Sequence, residues 1–116
     1  MKKSEGNNVN HKLASYFGFC VRSGKIVYGV DDIEKQKKSV FLIVIDEQLG
    51  ASSTKAVLKA KEKFSCQLLV AKEGVLAEVL HKPAVKAVAI KDVHLAQAIL
   101  SVMEEEPSLK IYGGND

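Results

Sequence analysis

The chain has 116 residues, 47% hydrophobic and 27% charged, with a formal net charge of +3. That length is one ordinary domain with no room for two, and the composition is that of a soluble globular domain and not of a disordered chain. A net charge this small does not by itself identify a polyanion-binding protein, and the longest apolar run, residues 40–45, is too short to cross a bilayer.

Residues 1–10 are polar and include Gly6, Asn7, Asn8 and Asn10, so they read as a loose arm without the apolar run of a secretion signal. From His11 onward Leu13, Phe17, Cys20 and Val21 recur at helical spacing and predict a helix with these residues inward. Gly24 is placed to end it as a left-handed cap, with Arg22 in the last turn, where a cation opposes the helix dipole. Residues 25–28 form a short strand. Gly29 then turns the chain into a second helix over 31–38, with Asp31 and Asp32 in its first turn and Lys35, Lys37 and Lys38 towards its end.

Residues 40–45 are wholly apolar and rich in β-branched side chains, which predicts a central strand covered on both faces. Ser52, Ser53 and Thr54 offer a cap for a helix reaching Phe64, with Val57, Ala60 and Phe64 inward. A strand over 67–71, a short helix over 74–80, a loop over 81–84 and a strand over 85–90 follow; Pro83 interrupts any helix there. Asp92 is positioned to cap a last helix that buries Leu95, Ile99, Val102 and Met103, and Pro107 ends regular structure. The expected organisation is an arm over 1–10, one domain over 11–106 and a tail over 107–116. A helix followed by four strand–helix units predicts an α/β fold with helices on both faces of the sheet.

Charge is unevenly spread. Residues 1–63 carry 12 basic and 7 acidic groups, whereas residues 64–116 carry 5 and 7. All but one of the basic side chains is Lys, the exception being Arg22. Lys supplies a point charge rather than the two-pronged fork that reads base edges, so any nucleic-acid contact leans on phosphates and shape. Lys55, Lys59 and Lys63, at spacing four, form one helical stripe; Lys35, Lys37 and Lys38 cluster, and Lys12, Arg22 and Lys25 bracket the first helix.

Other chemistries lack a pattern. Gly18 to Lys25 superficially resembles a phosphate loop, but five residues separate its glycines, Ile26 stands where a hydroxyl belongs, and it runs from helix to strand. His11, His81 and His94 are scattered, and Cys20 and Cys66 form no metal or redox motif and read as small buried apolar residues. Asp31 and Asp32 invite an acid–base reading, yet the first turn of a helix already gives them a structural role. No catalytic residue, cofactor, metal or small-molecule substrate is expected.

The run from Leu13 to Gly29, LASYFGFCVRSGKIVYG, resembles the opening of the L-seven-Ae / L-thirty-e family of RNA-binding ribosomal proteins, especially its small bacterial members. Arg22, Ser23, Gly24, Lys25 and Gly29 match that opening. The likeness continues through the apolar run at 40–45 with Asp46 after it, the hydroxyl-capped helix, the short helix after Gly74, and Lys82, Pro83, Ala84 and Val85 leading into Val88, Ala89 and Ile90. It covers about residues 11–103.

The resemblance implies a three-layer α-β-α sandwich with a mixed four-stranded sheet, no enzymatic activity, and binding of structured RNA, either kink-turn RNA or ribosomal RNA. In the family a Gly-x-Asn-Glu-x-x-Lys segment sets the second helix against sheared G·A pairs, and a later apolar loop covers a flipped-out nucleotide. Gly29, Asp31, Asp32 and Lys35 occupy the first segment here, with Asp in place of Asn and of Glu; Pro83, Ala84 and Val85 keep the apolar loop. Ala77 and His81 stand where members often carry glycines. The implied RNA-facing set is Arg22, Lys25, Gly29, Asp31, Asp32, Lys35, Lys38, Lys82, Pro83, Ala84 and Val85. The polar N-terminus and the short apolar runs predict a cytoplasmic protein that binds no membrane, expected as a monomer. The alternative, favoured by the two aspartates and the acidic run at 104–106, is a protein-interaction module that keeps the fold without kink-turn recognition.

Overall fold

A computed structural model describes residues 11–113. The expected arm over 1–10, and residues 114–116 of the expected tail, lie outside the described residues. The elements are α1 (His11–Arg22), β1 (Ile26–Tyr28), α2 (Val30–Lys35), β2 (Leu42–Asp46), α3 (Ala51–Phe64), β3 (Gln67–Ala71), α4 (Val75–Leu80), β4 (Ala87–Ile90) and α5 (Val93–Ser101), then a 3-10 turn (Met103–Glu105) and β5 (Leu109–Ile111).

The sheet order is β1-β4-β2-β3-β5, parallel between β2 and β3 and antiparallel elsewhere. Parallel neighbours need a crossover, and α3 supplies it. Successive strand residues point to opposite faces. Leu42, Val44, Leu69, Val88 and Ile90 accordingly pack with α1, α4 and α5, through Leu13, Phe17, Leu76 and Ile99. Ile43, Leu68, Ala87 and Ala89 pack on the other face with Ile33 of α2 and Val57 of α3. The result is the expected three-layer α-β-α sandwich. Each fully buried Leu, Ile or Phe contributes roughly 1.5–3 kcal/mol, and β2, buried along its whole length, lies at the centre of both clusters.

Helix ends follow local chemistry. α1 closes in a Schellman motif: Lys25 N–H donates to the Cys20 carbonyl (2.9 Å) and Gly24 N–H to that of Val21 (3.1 Å), with Gly24 at φ 69°. The Asp92 carboxylate accepts from Leu95 N–H at 2.9 Å and caps α5.

The structure corrects several expectations. The sheet has five strands, not four: Leu109–Ile111 of the expected tail pairs with β3 at the sheet edge. α2 ends at Lys35, so Lys37 and Lys38 lie in a loop; Gln36 is already extended, and Ser39 adopts φ 68°. α3 is capped by Gly50 without a side-chain hydrogen bond, so Ser52, Ser53 and Thr54 do not cap it; the Thr54 hydroxyl donates to the Gly50 carbonyl at 2.9 Å instead. Val21 is exposed, and Cys66 and Met103 are only half-buried.

Candidate functional site

Strand register sorts the loops onto two ends of the sheet. Ile26, Leu42, Gln67 and Ile90 share one level, and Tyr28, Ile45 and Val70 lie towards the other end, near Ala87 and Val88. The second end carries Gly29 and the start of α2, the loop before β4, and the turns that follow β2 and β3.

Gly29 sits at φ 88°, ψ 148°, a region that L side chains essentially do not enter. A Cβ there would meet nothing within 4 Å, so the requirement for glycine comes from backbone conformation and not from space. Its N–H donates to the Ala87 carbonyl at 2.9 Å, and its carbonyl accepts from Ile33 N–H at 3.0 Å. One residue therefore ends the pairing of β1 with β4 and starts α2.

Around this turn lies a shallow depression of about 510 Å³ lined by Tyr28, Gly29, Val30, Asp31, Asp32, Lys35 and Ser53. Asp31, Asp32 and Lys35 are exposed, and the two carboxylates occupy the first turn of α2. Burial, and then the neighbouring Cys20 thiol, push the Tyr28 hydroxyl above its ordinary value of 10.0.

The loop before β4 reaches the same end. Lys82 lies with its ammonium 4.8 Å from the centre of the Tyr28 ring, a cation–π contact. The Lys82 carbonyl accepts from Val85 N–H at 3.2 Å, closing a turn with Pro83 at its second position, where a fixed φ is an advantage. Pro83 and Ala84 are exposed, and Val85 packs partly into the core. Gly29, Asp31, Asp32, Lys35, Lys82, Pro83, Ala84 and Val85 thus belong to one end of the molecule.

Arg22, Lys25 and Lys38 do not. Lys25 precedes β1, and its carbonyl accepts from Lys91 N–H, just beyond β4, at 2.8 Å. Lys38 is in the loop entering β2, where Phe41 N–H donates to the Ile90 carbonyl at 2.9 Å. Arg22 is at the end of α1, its guanidinium 4.8 Å from the Phe19 ring centre. The expected RNA-facing set therefore divides between opposite ends of the sheet.

Tyr28, Val30 and Ser53 were absent from that set. Tyr28 and Val30 flank Gly29 and were open to inference; Ser53 comes from α3, and nothing local reveals that α3 borders α2. Among the described residues no group of three or more His, Cys, Asp or Glu side chains is arranged to hold a metal ion, and no helix is long and apolar enough to cross a membrane.

No family model matches the chain, and no curated protein matches it. A solved structure of a protein with unknown function from Bacillus halodurans is similar in fold, with a TM-score of 0.73 over 82% of this chain and 99% of that one. At 17% identity that likeness concerns the fold alone.

Proposed function

We propose that this protein is a non-catalytic RNA-binding protein of the L-seven-Ae type, working in the cytoplasm as a monomer and engaging structured RNA, kink-turn-like or ribosomal, through the Gly29 end of its sheet. The observation that carries the reading is the pairing of two features at that end. A glycine-only turn opens α2, and the Pro83-Ala84-Val85 turn is tied beside it through Lys82 on Tyr28 and Ala87 on Gly29. These are the two segments that the resemblance assigns to RNA, and the order of elements from α1 to α5 agrees with it. Lys82 and Lys35 offer phosphate contacts, while the exposed Pro83 and Ala84 offer apolar cover to an extruded base.

Titration against a kink-turn and a plain duplex, each at two salt concentrations, tests the reading. Tighter binding of the kink-turn, weakening as salt rises, is expected. Equal binding of both RNAs, or none at all, sinks it.

A second reading rests on Asp31 and Asp32, which expose two carboxylates where phosphates would approach. They favour a basic protein partner at the same depression. Partners of the tagged protein that survive nuclease treatment support this second reading.

A further inference from the structure

The end of the sheet opposite Gly29 is the more basic one. Arg22, Lys25, Lys37, Lys38, Lys63 and Lys91 all lie around it, where α1, α2 and α3 finish. Helix C-termini attract cations, but each carries only about half a negative charge, which one Lys or Arg offsets. Arg22 and Lys61 do that for α1 and α3, and Lys35, which closes the six-residue α2 while also lining the Gly29 depression, does it for α2. Of the acidic groups nearby, Asp92 is engaged in capping α5, and Glu62 is opposed by its neighbours Lys61 and Lys63. The exposed Glu34, whose carbonyl accepts from the Lys63 ammonium at 3.4 Å, offsets one further cation. Positive charge is left over. At the Gly29 end, by contrast, Lys35, Lys72, Lys82 and Lys86 lie among Asp31, Asp32, Glu47, Glu73 and the buried Asp46.

This end is also built. The Lys63 ammonium donates to the Gln36 carbonyl (2.7 Å) and the Lys91 ammonium to its side-chain oxygen (2.6 Å), holding the loop that carries Lys37 and Lys38 against the sheet. Aromatic surface sits among the charges: Phe41 is 38% exposed, and Phe19, under the Arg22 guanidinium, is 51% exposed. Lysines interleaved with accessible rings suit a flexible strand whose phosphates track the charges while its bases stack.

We infer that this end is a second nucleic-acid surface, taking an unpaired RNA strand through its phosphates with Phe41 as a stacking ring. The protein then joins an unpaired strand at one end to a folded RNA at the other. Only the joining rests on the reading of the Gly29 end; strand binding does not.

The test follows binding of a fluorescent oligouridine of about twelve nucleotides to the full chain. Lys25→Gln with Lys37→Gln and Lys38→Gln, changes of exposed side chains, is expected to weaken binding at least tenfold and to flatten the salt slope by about 2. Phe41→Leu is expected to weaken it about fivefold or more. Lys72→Gln with Lys86→Gln and Lys110→Gln, changes of exposed side chains outside both contact sets, leaves it within about twofold.

Unchanged binding in the first variant, or an equal loss in the third, overturns the proposal. So does wild-type protein that binds phosphatidylserine vesicles and ignores the oligouridine. A wild type that prefers the kink-turn but not the oligouridine overturns this surface alone. One that binds the oligouridine through the Lys25 end without preferring the kink-turn supports it and sinks only the earlier reading.

Discussion

The Asp46 carboxylate accepts a hydrogen bond from the Gly74 backbone N–H at 2.9 Å, so the end of β2 is fastened to the start of α4. Its other oxygen accepts from Gln48 N–H at 2.7 Å, and the side chain is 3% exposed. Beside it, the Glu47 carboxylate accepts from Glu73 N–H at 2.9 Å. Two adjacent acidic residues thus bind the turn after β2 to the turn after β3, the frame beneath the Gly29 end.

Removing the buried Asp46 carboxylate leaves two partly buried backbone N–H groups without acceptors. Asp46→Ala should cost roughly 2–4 kcal/mol in a urea unfolding titration. Asp46→Asn keeps one acceptor oxygen but turns an NH2 towards a donor, so it should lose about half as much. Equal stability of Asp46→Ala and the wild type would show that the fastening contributes nothing.

Most of the fold was legible because its strongest signals are local. The apolar run of β2, Gly24 and Asp92 each mark an element through their own chemistry, and each stands where expected. β5 carried no such signal: three residues are too few for a periodicity, and its strand state comes from pairing with β3, far back in the chain. The site was half legible, for a related reason. Arg22 and Lys25 are close to Gly29 in sequence, but β1 lies between, and three extended residues carry the chain about 10 Å, from one end of the sheet to the other. Gly29 announces itself as a glycine, whereas Ser53 reaches the same depression only through the packing of α3 on α2.

Gly29→Ala tests the turn itself. A side chain at φ 88°, ψ 148° is strained whatever the space around it, and roughly 1–3 kcal/mol should be lost in the same titration. A loss within error of zero would mean that the turn relaxes into an ordinary conformation.

His81 and Ser65 end α4 and α3 in the left-handed conformation, at φ 55° and 52°. Both close Schellman motifs: Lys82 N–H donates to the Ala77 carbonyl (3.1 Å), and Cys66 N–H to that of Lys61 (3.3 Å). Glycine occupies this conformation without the penalty paid by a Cβ. His81→Gly and Ser65→Gly should therefore each stabilise the protein by about 0.5–1 kcal/mol, read as a higher urea midpoint with an unchanged slope. A lower midpoint in both refutes the assignment.

Alkaline pH should destabilise the fold through Cys20. Burial, and then the Asp92 carboxylate, push its thiol from the ordinary 9.0 up to about 11. Between those values the unfolded chain gives up a proton that the folded chain keeps, so the unfolded state binds fewer protons and stability falls as pH rises. Tyr28, also shifted upward, adds to the decline above its ordinary 10.0. Unfolding midpoints at about pH 8 and about pH 10 should differ more in the wild type than in Cys20→Ala. Equal differences would assign the decline to other groups.

The proposed RNA contact makes its sharpest prediction at Asp31 and Asp32, which are exposed beside the depression at Gly29. Asp31→Asn supplies an amide donor and removes a negative charge, and Asp32→Glu keeps the acceptor on a longer stem. One well-placed base contact is worth roughly 1–3 kcal/mol, so the double change should tighten kink-turn binding about tenfold or more. Part of that gain comes from the lost carboxylate charge and shrinks as salt screens it; the part from the new donor persists. A titration at two salt concentrations separates the two parts. Weaker or unchanged kink-turn binding in the double variant would mean that α2 does not face the RNA.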